Sequence, residues 1–102
     1  MTHDPASHKV LVSNDTITVT EITFMPGKPT IMHTHPAHYI YALTDGTFEV
    51  TTAAGEVIKL DLKKGDNQFS KPEGLHSTVN TGRTDAKILL VELNEYPFVG
   101  NH

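Results

Sequence analysis

Residues 27–46 read GKPTIMHTHPAHYIYALTDG, with His33 and His35 separated by one residue. Side chains alternate across a β-strand, so positions i and i+2 share a face. On a strand, His33 and His35 therefore aim two imidazoles at one point. A third imidazole from a distant strand completes a facial set and leaves coordination positions open for water or substrate. That open side separates a catalytic or ligand-binding metal from a structural one. Residues 65–80, GDNQFSKPEGLHSTVN, offer such a partner in His76.

Working outward, the chain shows no helical stripe of useful length. Apolar positions alternate in short runs broken by turn residues, the pattern of an all-β sandwich or barrel. VLV at 10–12 reads as a first strand, and TITVTEITF at 16–24 as a longer one rich in Thr, Ile and Val. The apolar phase of the second switches between Val19 and Ile22, which predicts a bulge or bend at Thr20–Glu21. IMHTH is the metal-bearing strand; Pro36 bends it and YIYAL continues. Asp45–Gly46, Ala54–Gly55 and Lys64–Gly65–Asp66 are turn signals. Between them lie TFEVTT and EVIKLDL, in which Ile58, Leu60 and Leu62 share a face. NQFS, HSTVN and AKILLVEL follow, the last reading as a strand buried on both faces. The tail NEYPFVGNH is expected to pack over an edge through Tyr96 and Phe98. About nine short strands with regular turns suggest a closed barrel or jelly roll.

With 102 residues the chain is expected to form one domain, residues 1–102. The formal net charge is -4 and the basic residues are scattered, which argues against a nucleic-acid partner. Cysteine is absent, excluding disulfides and thiolate ligands and fitting a reducing compartment. MTHDPASHKV carries no apolar signal core and no run approaches a membrane span, so a soluble cytoplasmic protein without membrane contact is expected.

These residues resemble the cupin family. Its first motif, G-x5-H-x-H-x3-E-x6-G, is matched by Gly27, His33, His35 and Gly46, with Tyr39 in the glutamate position. Its second, G-x5-P-x-G-x2-H-x3-N, is matched by Gly65, His76 and Asn80. Pro72 and Gly74 lie one residue late, and Lys71 takes the proline position. The motifs span 27–46 and 65–80. The resemblance implies an all-β cupin double-stranded β-helix, or jelly-roll barrel. It also implies a divalent metal, of unspecified identity among Fe, Zn, Ni, Mn and Cu, held by His33, His35 and His76. The glutamate ligand does not carry over. Without that carboxylate the metal keeps its full charge and is the stronger Lewis acid. Three-histidine relatives resembling this pattern include acetylacetone dioxygenase and cysteine dioxygenase, both iron(II) enzymes.

Tyr39 shares the parity of His33 and His35 if the strand runs without a slip. It is read either as a catalytic group or as a packed aromatic at the barrel mouth. Gln68 and Ser70 share one parity and either face the pocket, Gln68 managing a proton or positioning substrate, or face water on an edge. Tyr41 is a pocket candidate on the same parity as Tyr39. His38 points away unless Pro36 shifts the strand by one residue. Phe24, Met25, Met32 and Phe69 are expected in the core or pocket wall. Gly27, Gly46, Gly65 and Gly74 are expected to serve turns of positive φ, and Asn80 to support the turn after its strand. His3, His8 and His102 lie in segments expected to fray.

The expectation is a metal-dependent protein acting on a small polar organic substrate such as a β-dicarbonyl, uronate-like or phenolic compound. The chemistry would be dioxygenase-like or of the lyase/isomerase kind. The alternative is a non-enzymatic sensing or storage module. Small barrels of this kind leave apolar edges, so a homodimer is expected.

Overall fold

The computed structural model describes residues 6–94, which form nine strands and no helix. The expected tail residues Tyr96 and Phe98, and also His3 and His102, lie outside the described residues. The strands are β1 (Ala6–Ser13), β2 (Ile17–Phe24), β3 (His33–His35), β4 (His38–Ala42), β5 (Gly46–Thr52), β6 (Val57–Leu62), β7 (Asn67–Ser70), β8 (Glu73–Asn80) and β9 (Ala86–Leu93). They pair antiparallel into a five-stranded sheet, β1-β2-β9-β4-β7, and a four-stranded sheet, β3-β8-β5-β6. This is the expected jelly-roll arrangement.

Alternation along each strand fills the space between the sheets. Ile22 and Phe24 of β2, Ile40 and Ala42 of β4 and Ala86 and Leu90 of β9 are buried from one side. Phe48 of β5 and Leu62 of β6 are buried from the other. Each larger apolar side chain so buried contributes about 1.5–3 kcal/mol. Phe24 and Phe48 meet edge-to-face across the two sheets, with centroids 5.2 Å apart, the geometry the ring quadrupole favours.

Asn80 closes the same end of the core. Its Nδ2 donates to the carbonyls of Phe24 and Thr84, and its Oδ1 accepts from the Gly82 amide. One buried side chain thus ties β2 to the β8–β9 turn and supports that turn as expected. Pairing these groups in a dry interior avoids about 1–3 kcal/mol for each one otherwise left bare.

Several sequence expectations are corrected here. The β2–β9 register is continuous from Ile17 to Phe24, so no bulge interrupts β2. Its phase change arises because Ile17 and Val19 are apolar on the outer face, while Ile22 and Phe24 point inward. A bulge sits instead in β1, between Val10 and Val12. β1 extends back to Ala6, so His8 lies in a paired strand rather than a frayed end. Phe69, Met25 and Met32 are exposed, and only Phe24 of that group is core. The outer face of β9 is half-buried rather than fully covered.

The glycines divide by cause. Gly27, Gly55 and Gly65 hold positive φ; Gly46 and Gly74 do not. At Gly46 a Cβ would fall 2.8 Å from the Phe48 ring and 2.9 Å from the Ala86 Cβ, so the constraint there is close approach. Gly46→Ala is expected to overpack the closed end and cost about 1–3 kcal/mol. Denaturant unfolding checks this: a midpoint equal to wild type would mean that the Phe48 ring moves aside freely.

Candidate metal centre

The chain changes sheets between β3 and β4, at Pro36–Ala37. β3 pairs with β8, placing His33 opposite His76 and His35 opposite Glu73. One residue of β3, Thr34, thus faces two of β8, a bulge at Gly74–Leu75 that brings Glu73 and His76, three apart, onto one inward face. β4 enters the other sheet, where His38, opposite Glu92 and Ser70, also faces inward.

These inward positions line a cavity of about 370 Å³ between the sheets. It is graded along its length. Successive inward residues run Ile88, Leu90, Glu92 on β9 and Ala42, Ile40, His38 on β4. One end is therefore apolar and closed by Phe24, Phe48 and Leu62, while the other collects histidine and carboxylate.

The ligand nitrogens of His33, His35 and His76 lie within 4.8 Å of one another. Each ring is oriented through its Nδ1. His33 donates to the Ile31 carbonyl at 2.6 Å, His76 to the Gly74 carbonyl at 2.7 Å, and His35 to Glu92 Oε2 at 2.9 Å. A neutral imidazole has one N–H, so all three Nε2 atoms present bare lone pairs to the same space. The Nε2 atoms of His33 and His35 are 3.1 Å apart. Two lone pairs at that distance repel unless a cation lies between them. Metal–nitrogen bonds of about 2.0–2.1 Å put neighbouring donors about 2.8–3.4 Å apart for right-angle to tetrahedral geometry. The His33–His35 spacing suits two ligands of one divalent cation, and a donor of His76 lies within 4.8 Å of both.

His38 is buried beside this set, its ring centroid 5.1 Å from that of His35. Its nitrogens are already engaged: Nδ1 donates to the Pro36 carbonyl at 2.8 Å, and Nε2 stands in ion-pair contact with Glu73 Oε1 at 3.2 Å. Burial opposes charge on this ring. The Glu73 hydrogen bond, the Pro36 carbonyl and the charges of Glu73 and Glu92 outweigh it and raise the pKa. The His38 hydrogen bond holds Glu73 below the usual carboxylate range, and the His35 hydrogen bond does the same for Glu92.

The cupin domain profile matches residues 20–92, most of the described chain and both histidine motifs. The chain belongs to the cupin domain family. In structure this cupin is similar to a cupin domain from Bordetella pertussis, 24% identical, with a TM-score of 0.80 over 91% of this chain and 97% of that one. It is also similar to an RmlC-like cupin from Shewanella frigidimarina, 22% identical, TM-score 0.64, over 90% of this chain and 78% of that one. A polyketide cyclase from Streptomyces resistomycificus is 22% identical, TM-score 0.67, over 95% of this chain and 74% of that one. At these identities the likeness is one of fold. No curated protein sequence matches the chain.

The cupin strands place the remaining candidates as follows. Gln68 and Ser70 both line the cavity, opposite Ile40 and His38, as their shared parity predicts. Neither makes a side-chain hydrogen bond among the described residues. Tyr39 and Tyr41 are corrected: they alternate with His38 and Ile40, lie outside the cavity lining, and face outward. The sheet change at Pro36–Ala37 supplies the one-residue slip that moves His38 in and the tyrosines out. Glu73 and Glu92 were missed by the motif reading. Glu92 had a signal, a carboxylate on the parity otherwise held by Ala86, Ile88 and Leu90.

The His38–Glu73 pair predicts a pH signature in metal-free protein. A raised histidine pKa stabilises the fold at low pH and loses that contribution as pH rises through the folded value. A lowered carboxylate pKa stabilises at higher pH and loses it as pH falls through the folded value. Both contributions are present together between the ordinary values, 4.5 and 6.5. Glu73→Gln should lower the unfolding free energy within this window, flatten its fall on either side of it, and lower the His38 pKa measured by NMR. A His38 titration unmoved by the substitution would refute the pairing.

Proposed function

We propose that His33, His35 and His76 hold one divalent metal ion, and that the protein acts on a small organic molecule with a chelating polar head and an apolar body. The observation that carries this reading is the convergence of the His33, His35 and His76 imidazoles in a cavity whose lining also includes Ile22, Phe24, Ile40, Phe48, Leu62 and Leu90. A cation held there supplies Lewis acidity, polarising a carbonyl or enol oxygen or acidifying bound water.

The chain's own groups do the rest. The Ile31 and Gly74 carbonyls and Glu92 fix the three ring tautomers. Ile40, Phe48 and Leu90 exclude water from the bound body and favour a β-dicarbonyl or phenolic molecule over a uronate. Gln68 and Ser70 offer hydrogen bonds to a polar substituent. The cavity is at the small end of the range for ligand sites. With Tyr39 outside, proton handling does not fall to it. The reaction is proposed to be dioxygenase-like or of the lyase/isomerase kind.

Elemental analysis of untagged, anaerobically prepared protein should find about one metal per chain in wild type, with His76→Ala losing it while staying folded. Metal retained by His76→Ala would remove the three-histidine site. Turnover of β-dicarbonyl or phenolic compounds by the loaded protein should survive Tyr39→Phe unchanged. Ligand-dependent rises in Tm without turnover would make the protein a binding module instead.

The outer face of the five-stranded sheet bears on assembly. Val12, Val19, Val91, Tyr39 and Phe69 lie in one register row across all five strands. The row's ends are open to solvent, Val12 at 43% and Phe69 at 60% exposure. An apolar row where a solvated face would be polar suits a second copy of the chain about a two-fold axis. Light scattering should give a dimer for wild type and a monomer for Phe69→Lys; a monomeric wild type would remove this assignment.

A further inference from the structure

Three neutral imidazoles bring no negative charge to a dication, and a half-buried cation without a nearby anion is costly. Two carboxylates face the cavity at this end, Glu73 and Glu92. Their attachments differ. Glu92 is bound at 2.9 Å to the Nδ1 of His35, a proposed ligand, and its side chain is 21% exposed. Glu73 is held by His38 at 3.2 Å and is 43% exposed. A charge-assisted N–H···O bond ordinarily closes to about 2.7–2.9 Å, so the Glu73 attachment is the looser.

Position favours Glu73 as well. It stands opposite His35 in the β3–β8 register, and the bulge at Gly74–Leu75 turns it to the same side as His76. Directly opposed residues have Cβ atoms about 4.5–5.5 Å apart, so a change of glutamate rotamer spans the gap to the imidazole cluster. Glu73 is thus flanked by two proposed ligands and tethered to a group that is not one. At equal distance a dication attracts it twice as strongly as an imidazolium.

Resting on the three-histidine reading above, we infer that Glu73 is the exchangeable carboxylate of this centre. Without metal it is held by His38; when the cation binds at His33, His35 and His76, it leaves His38 and supplies an oxygen ligand. His38 is then a competitor for that carboxylate, and Glu92 a positioning residue that acts through His35.

Co2+ titration, followed by calorimetry and by the cobalt d–d absorption bands, tests this without any substrate. Glu73→Gln is close in shape and still accepts a hydrogen bond from His38. It should weaken binding about tenfold or more and change the d–d bands. Glu92→Gln should weaken binding and keep the bands, because only the orientation of His35 is lost. His38→Gln should bind more tightly than wild type, a gain that misfolding cannot imitate. Glu73→Gln matching wild type in both affinity and spectrum would overturn the inference, as would a His38→Gln that binds no more tightly. These failures are separable from failure of the underlying site. If wild type takes up no Co2+, or His76→Ala takes it up equally well, the three-histidine reading itself falls. If wild type binds, His76→Ala does not and Glu73→Gln is unaltered, only the exchangeable carboxylate is lost.

Discussion

The passage of the chain from one sheet to the other at Pro36–Ala37 is the constraint on which the site depends. Proline cannot donate to a ladder and biases the residue before it toward extended backbone, so a strand ends there at small cost. β3 stops at His35 and β4 starts at His38 in the opposite sheet. Two strands facing each other across a core must each turn one side inward. The crossing therefore resets the alternation, and His33, His35 and His38 all reach the interior although their spacing fits no single strand. The same reset sends Tyr39 and Tyr41 outward, where Tyr39 takes its place between Val91 and Phe69.

The second constraint is the division of the interior into a dry end and a polar end. Phe24, Phe48, Leu62 and Asn80 close one end completely, with every polar atom of the Asn80 side chain paired. That closure lets the other end carry bare imidazole nitrogens and two carboxylates without unfolding the barrel, since the stabilising burial lies elsewhere. No buried side-chain nitrogen or oxygen among the described residues lacks a hydrogen-bond partner. The Nε2 atoms of His33 and His35 are nominally partnered as well, but only with each other.

The fold was legible in the sequence because the strands are short apolar runs, many with period two, and most turns carry a Gly, Pro, Asn or Asp cue. The positions of His33, His35 and His76 followed from the motif spacing. What the sequence concealed was the inside–outside phase. In β2 an apolar outer face resembled a bulge, since hydrophobicity reports burial and not the side on which it occurs. In β4 the parity argument carried across Pro36 as if the strand were continuous, and so put Tyr39 and Tyr41 on the wrong face. Gly46 looked like a turn glycine, and only the packed Phe48 ring shows that space, not φ, is the constraint. Glu73 was hidden by the bulge in β8: with regular alternation, residues three apart face opposite ways.

Charge balance connects these features. A dication among three neutral rings needs anions within a few ångströms, because the apolar walls that exclude water also remove its screening. The outward turn of β4 means that Tyr39 contributes nothing to this balance. Glu92 and Glu73 together would match the charge of a dication at the proposed centre, one behind His35 and one beside the cluster. His38 pairs with Glu73 in this structure, so the half-buried carboxylate is not left alone; in the proposed metal-bound state the cation would take over that part. The bulge in β8 and the crossing at Pro36–Ala37 are thus two halves of one arrangement: the first brings Glu73 inward, and the second brings in the histidine that holds it.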